Sequence, residues 1–124
     1  MKNIIVYYQN KTKPDAKYLD DISKTHVKVF EGVINNDDDQ EDVFNAFNHY
    51  DTNPLSSSNT SNKVCFLDNG EAVTGEQFQE GMITGKVSCG HTSMSVGDAV
   101  SIDGTVYLCL DFGWKKLKNK KEVA

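Results

Sequence analysis

Hydrophobic and β-branched residues concentrate near the start of the chain, where their spacing predicts two strands. Residues 2–8, KNIIVYY, form a continuous run of β-branched and aromatic side chains, which favours a buried strand. Residues 26–33, HVKVFEGV, alternate between apolar and polar positions, as a half-buried strand does. We expect the two strands to pair antiparallel across a polar loop, residues 9–21, which contains Pro14.

The clearest local pattern lies in the last third of the chain, where two apolar segments, AVSI and TVYLCL, flank Asp103 and Gly104. An Asp-Gly pair is typical of a type I′ hairpin turn, because both central residues of that turn take positive φ. Counting outward from the turn gives two cross-strand pairs, Ile102 with Thr105 and Val100 with Tyr107. Both faces of this hairpin are largely apolar, so we expect both to be covered. A last strand is expected at Trp114.

Between these regions the apolar positions change to helical spacing. The apolar stripe consists of Val43, Phe44, Phe47 and Tyr50. It predicts one amphipathic helix of about three turns that lies on the sheet. An aspartate among residues 37–39 can cap this helix, and further acids suit the positive end of its dipole. The helix should end before Pro54, because a residue that precedes proline avoids helical geometry.

The segment between the helix and the hairpin is harder to assign. Residues 53–62, NPLSSSNTSN, have the composition of a loop. A short strand is expected at residues 63–67, KVCFL, followed by a turn at residues 68–70, DNG. Residues 71–85 contain three glycines and show no clear period.

Together these patterns predict a single α+β domain over residues 1–124. We expect a small antiparallel sheet of about five strands, one amphipathic helix packed on it and a C-terminal hairpin at the Asp-Gly pair. The basic tail, residues 118–124, should fray. No apolar run approaches the ~18 to 20 residues of a membrane helix, and the N-terminus lacks a small-residue cleavage site. The three cysteines are an odd number at wide spacings, so we expect a cytoplasmic protein with reduced thiols.

Charge is distributed unevenly along the chain, whose formal net charge is −5. Residues 29–62 contain seven acidic residues and no lysine. All 13 basic residues are lysines, and the lack of arginine argues against a protein that binds nucleic acid directly. The acidic region instead favours a basic partner or simple solubility. The candidate partner-binding residues are its densest acids: Asp37, Asp38, Asp39, Glu41 and Asp42.

Residues 90–98, GHTSMSVGD, place His91 close to two serines and an aspartate. A serine hydrolase needs a base within reach of its nucleophile and a third group to orient that base, but no GxSxG motif is present. The alternative is that Ser95 and Asp98 cap a turn that leads into the hairpin, with side chains bonded to the main chain. We favour the turn.

A metal site would have to draw on Cys65, Cys89, His91 and Cys109. Zinc usually takes a pair of ligands separated by two to four residues, and the only close pair, Cys89 and His91, is separated by one. The acidic run at 37–42 lacks the glycine and glutamate of a calcium-binding EF-hand. We therefore predict no metal, cofactor or catalytic residue.

Residues 91–117, HTSMSVGDAVSIDGTVYLCLDFGWKKL, resemble the closing segment of a group of small uncharacterised proteins. Those proteins are encoded by phages, plasmids and conjugative elements of Gram-positive bacteria. The similar features are an H-[ST]-[ML]-S-V-[GS]-D element, a hydrophobic strand, a DG turn, a strand with tyrosine and an FG[FW] step. Residues 62–85 depart from the group as an insertion. The resemblance implies an accessory gene on a mobile element that acts inside a bacterial cell.

In that setting, a small acidic protein without a convincing catalytic site is expected to block a host defence nuclease. The most concrete form is an anti-CRISPR protein whose carboxylates imitate nucleic acid in the basic groove of a Cas9-type effector. One alternative is a protein that sequesters a nucleotide signal in a pocket formed by Phe66, Tyr107 and Trp114. The other is a small metal-dependent or serine hydrolase.

Overall fold

The computed structural model describes residues 1–10 and 21–117, within which seven strands form one antiparallel sheet accompanied by two helices. The strands are β1 (Lys2–Gln9), β2 (His26–Ile34), β3 (Cys65–Phe66), β4 (Ala72–Val73), β5 (Ala99–Ile102), β6 (Thr105–Cys109) and β7 (Trp114–Lys116), and the helices are α1 (Gln40–Phe47) and α2 (Gly75–Thr84). Across the sheet the order is β4-β3-β2-β1-β5-β6-β7. The α+β class is confirmed, but the described structure has more strands than about five and a second helix. The frayed tail at 118–124 and most of the loop expected at 9–21 lie outside the described residues.

The first two strands occupy the centre of the sheet and pair antiparallel, as the sequence predicted. On β1 the buried positions are Ile4, Val6 and Tyr8, so one face of the strand meets the main core. The pairing with β2 shifts by one residue between Val6 and Tyr7, a bulge that local sequence did not indicate. The other neighbour of β1 is β5, which ties the two ends of the chain into one sheet.

The C-terminal hairpin has the predicted turn and register. Asp103 and Gly104 take φ values of 48° and 89°, and the cross-strand pairs are the two predicted from the sequence. The two faces of the hairpin pack in different hydrophobic clusters. Val100 and Ile102 belong to the main core, whereas Ala99 and Leu108 pack with Ile22 and Leu117 on the opposite side of the sheet.

Helix α1 is shorter than three turns, with eight residues. Asp39 is its N-cap, which confirms the prediction that one of the three aspartates at 37–39 caps it. Val43 and Phe47 are buried, and the Phe47 ring meets Phe30 edge to face at 5.3 Å. Tyr50 lies beyond the helix and is exposed. The prediction of a longer helix fails because residues 48–53 form turns that are held by their own polar side chains.

Residues 62–85, expected to be an insertion, form β3, β4 and α2 and contribute buried side chains to the main core. Helix α2 begins with a capping box, in which Thr74 and Gln77 bond reciprocally to each other's main-chain N–H. It ends at Gly85, which is left-handed with φ of 84°. Neither helix in the described ranges is long and apolar enough to cross a membrane.

Candidate functional site

The five predicted partner-binding carboxylates gather at the start of α1. All five residues are exposed or half-buried, and several are held in place by main-chain bonds. The Asp39 side chain accepts from the N–H groups of Glu41 and Asp42, and Asp42 accepts from the Asp39 N–H at 2.9 Å. Asp38 accepts from the Asn35 N–H at 3.3 Å. These bonds therefore fix the carboxylates of Asp38, Asp39 and Asp42 at the start of α1.

The structure extends this acidic surface to the turn between β6 and β7. The indole Nε1–H of Trp114 donates to Glu41 Oε2 at 2.8 Å, although the two residues are 73 positions apart in sequence. Trp114 also meets the Phe44 ring at 87° with centroids 6.1 Å apart. These contacts bring Asp111, in the turn before Trp114, beside Glu41 and Phe44 of α1. We define the acidic surface as Asp37, Asp38, Asp39, Glu41, Asp42 and Asp111.

Among the residues that the structure describes, no ion pair involves any of these six carboxylates. The Lys2 ammonium donates to the main-chain oxygen of Asp38 instead of to a carboxylate. Phe112, next to Asp111, is 94% exposed, the highest value among the large apolar side chains that the structure describes. The surface therefore combines carboxylates that no ion pair engages within the described ranges with an exposed aromatic ring.

Asp111, Phe112 and Trp114 were not predicted to belong to this site. The sequence did carry a signal, since Asp-Phe-Gly-Trp follows an apolar strand as a turn does and places an acid next to two aromatic residues. What it could not show is that this turn lies against α1.

The segment 90–98 is a turn organised around Asp98, which confirms the prediction that Ser95 and Asp98 cap a turn leading into the hairpin. Asp98 is 1% exposed. One carboxylate oxygen accepts from the Gln9 N–H at 3.1 Å, and the other accepts from the Ser95 N–H at 2.9 Å and the Ser95 hydroxyl at 3.3 Å. Burial raises the pKa of Asp98 to about 6, against the opposing effect of these hydrogen bonds and of His91. A buried carboxylate thus ties the turn to β1.

His91 does not pair with a serine hydroxyl. Its Nδ1 lies 2.6 Å from the main-chain oxygen of Ser93, and its Nε2 lies 3.9 Å from Asp98 Oδ2. The imidazole also packs on Tyr8, with ring centroids 5.2 Å apart. Because the Ser95 hydroxyl contacts Asp98 and not the imidazole, the geometry offers no activated serine nucleophile in this turn.

The turn requires glycine at position 97, and its main chain contacts His26 at the start of β2. The φ of Gly97 is +97°, a conformation that side chains disfavour. Its N–H donates to the Cys109 oxygen, and its own oxygen lies 2.5 Å from His26 Nε2. His26 must donate through Nε2, so Nδ1 is the acceptor for the Thr25 hydroxyl at 2.7 Å. Burial lowers the pKa of His26, which keeps the ring neutral.

The candidate metal ligands do not converge. No group of three or more histidine, cysteine, aspartate or glutamate residues within the described ranges is placed to hold a metal ion. Cys65, Cys89 and Cys109 are buried free thiols. Burial raises the pKa of Cys65 and Cys89 to about 12 and that of Cys109 to about 11, so all three stay protonated at neutral pH.

The three aromatic residues proposed for a nucleotide pocket do not come together, because three strands separate Phe66 on β3 from Tyr107 on β6. Trp114 lines a pocket with Phe44, which contains neither Phe66 nor Tyr107. The Phe66 ring instead lies 4.0 Å from the Lys28 ammonium, and Tyr107 packs against the main core. The ligand pocket that the sequence suggested is therefore not formed by these side chains.

No protein-family model, curated protein or solved structure matches this chain. The resemblance of residues 91–117 to proteins of mobile elements therefore stays a prediction.

Proposed function

We propose that this protein is a non-enzymatic inhibitor, encoded by a mobile element, that acts in the cytoplasm of a bacterial host. Its target is a defence nuclease, in the most concrete form a Cas9-type CRISPR effector. The observation that carries the proposal is the acidic surface, in which a helix cap fixes the carboxylates of Asp39 and Asp42 and no carboxylate forms an ion pair with a described lysine.

The mechanism follows from the charge of the two surfaces. An effector holds its nucleic acid in a positively charged channel and recognises backbone geometry there, not sequence. Carboxylates held at fixed positions can occupy part of that channel in place of phosphates. Because little side-chain freedom remains to be lost at Asp39 and Asp42, docking costs less entropy than it would for an unstructured acidic run.

Two substitutions can change the charge of this surface while keeping the helix cap that stabilises α1. Asp39→Asn removes a charge but keeps a good N-cap, since asparagine caps about as well as aspartate. Asp37 is exposed, so Asp37→Lys reverses a charge at a position outside the capping box. The double variant should fold normally and inhibit target-DNA cleavage by its effector on the order of a hundredfold more weakly.

The measurement is guide-directed DNA cleavage by a panel of purified Cas9-type effectors of Gram-positive bacteria, titrated with this protein. The matched control is Glu71→Gln with Glu80→Lys, which makes the same charge change on exposed residues outside the acidic surface. Wild-type inhibition should weaken about tenfold or more between low and physiological salt. Salt-insensitive inhibition would rule out the mimicry mechanism, and cleavage unaffected across the panel would contradict the proposed target.

A further inference from the structure

A small pocket lies where the β6–β7 turn meets α1. Its volume is about 190 Å³, and the lining side chains include two aromatic rings, Phe44 and Trp114, and two acids, Glu41 and Asp111. No lysine lines it. The pocket thus combines π-faces with negative charge in a concave site.

The walls of this pocket are held in place by contacts already described. The bond from the indole N–H to Glu41 sets the rotation of the Trp114 ring. Phe44 stands nearly perpendicular to that ring, at 87°. The pocket is therefore preformed, with one acid on α1 and the other on the β6–β7 turn.

The electrostatics at the base of the pocket are consistent with a cationic ligand. Cys109 lines it, and the pKa of this thiol is raised first by burial and then by Asp98, Glu41 and Asp111. Glu41 and Asp111 are therefore both close enough to the Cys109 thiol to raise its pKa. Because the thiol is neutral, no group among the described lining residues balances the charge of these two acids.

We propose that this pocket binds the guanidinium group of an arginine side chain presented by the partner. The inference rests on the proposed function, because it places an arginine of the basic partner on the acidic surface. A planar guanidinium can stack on an indole face while its donors reach two carboxylates at different angles. An ammonium group offers the charge without the planar face. Phe112, which is exposed and lies in sequence between the lining residues Asp111 and Gly113, would be covered by the same partner.

The test uses the only tryptophan in the chain as a reporter of its own pocket. The indole N–H resonance of the ¹⁵N-labelled protein is followed during titration with two blocked tripeptides, acetyl-Gly-Arg-Gly-amide and its citrulline counterpart. Citrulline has nearly the shape of arginine but no charge. The arginine peptide should shift the resonance saturably and bind about tenfold more tightly than the citrulline peptide. Equal shifts with both peptides, or none with either, would overturn the inference.

A pair of variants assigns the binding to the two carboxylates. Glu41→Gln removes a charge but keeps an oxygen that can accept the indole N–H, so the ring should stay in place. Combined with Asp111→Asn, it should abolish the difference between the arginine and citrulline peptides. Glu80→Gln combined with Glu71→Gln removes two exposed acids outside the pocket; it is the matched control and should keep that difference. An arginine preference that survives the double variant would also contradict the proposal.

This experiment and the cleavage assay can fail independently. Arginine recognition requires no effector, so a positive titration with no inhibited effector would retain the pocket and remove the proposed target. Inhibition by a protein whose indole signal ignores both peptides would retain the function and remove the pocket.

Discussion

Gly75→Ala should destabilise this protein by about 3 kcal/mol, or prevent it from folding. Gly75 is the first residue of α2, and a Cβ added there would lie 2.2 Å from the main-chain oxygen of Ser56 and 2.5 Å from that of Pro54. Neither oxygen can move freely. The Pro54 oxygen accepts from Asn59 and from the Cys65 thiol, and the Ser56 oxygen accepts from the Asn59 N–H. Alanine favours a helix over glycine by up to ~1 kcal/mol, which the clash should outweigh.

Two further glycines make this a graded test, measured by denaturant unfolding with Trp114 fluorescence. At Gly81 an added Cβ would meet methyl groups of Leu67 and Val87 at 2.9 Å, so the side chains can yield and the loss should be smaller. At Gly90 nothing lies within 4 Å and φ is not left-handed, so alanine should be close to neutral. A neutral Gly75→Ala would mean that α2 does not rest against residues 54–56 as described.

The same glycines show why the second helix was not predicted. Residues 71–85 show no amphipathic period because close packing requires glycine at positions 75 and 81, where a helix ordinarily carries larger side chains. Its start signal was nevertheless present, since Thr74 followed by Gln77 is a capping-box pattern. The hairpin at Asp103, in contrast, was predicted down to its register, because its turn depends on the two residues at its centre.

The candidate site was likewise predictable where it depends on local sequence and not where it depends on tertiary contacts. That an aspartate at 37–39 would cap α1 follows from local sequence, and Asp39 does so. The contact between Glu41 and Trp114 depends on the strand order. The position of β7 in the sheet is set by the pairing of β1 with β5, β5 with β6 and β6 with β7, which local sequence does not show. Sequence spacing identified the charges but could not reveal the aromatic pocket beside them.

Asp98→Asn should destabilise the protein, and by more in mild acid than at neutral pH. At neutral pH the loss should be about 1 to 3 kcal/mol, since an amide cannot accept from both the Gln9 N–H and the Ser95 N–H while keeping its own N–H groups away from those donors. In the wild-type protein the pKa of Asp98 is raised to about 6 from its ordinary value of 3.8. The folded protein therefore binds a proton at the Asp98 carboxylate more tightly than the unfolded chain does.

The sign of the pH dependence follows from that difference. As pH falls from 7 through 6 towards 4, the folded protein binds a proton at Asp98 that the unfolded chain takes up only later, so Asp98 contributes stability as the solution becomes more acidic. Asparagine cannot make this contribution. The destabilisation by Asp98→Asn should thus grow by about 2 kcal/mol between pH 7 and pH 4.5.

Urea unfolding of both proteins at the two pH values measures this effect, and the difference between them removes the titrating groups that do not contact Asp98; His91, 3.9 Å from its carboxylate, does contact it. Asp68→Asn is the matched control, because Asp68 is exposed and accepts one main-chain bond, from Ser88 at 3.2 Å. It should cost under about 1 kcal/mol at neutral pH. A destabilisation by Asp98→Asn that shrinks on acidification would show that its hydrogen bonds to Gln9 and Ser95 outweigh burial, and that the carboxylate is held ionised in the folded turn.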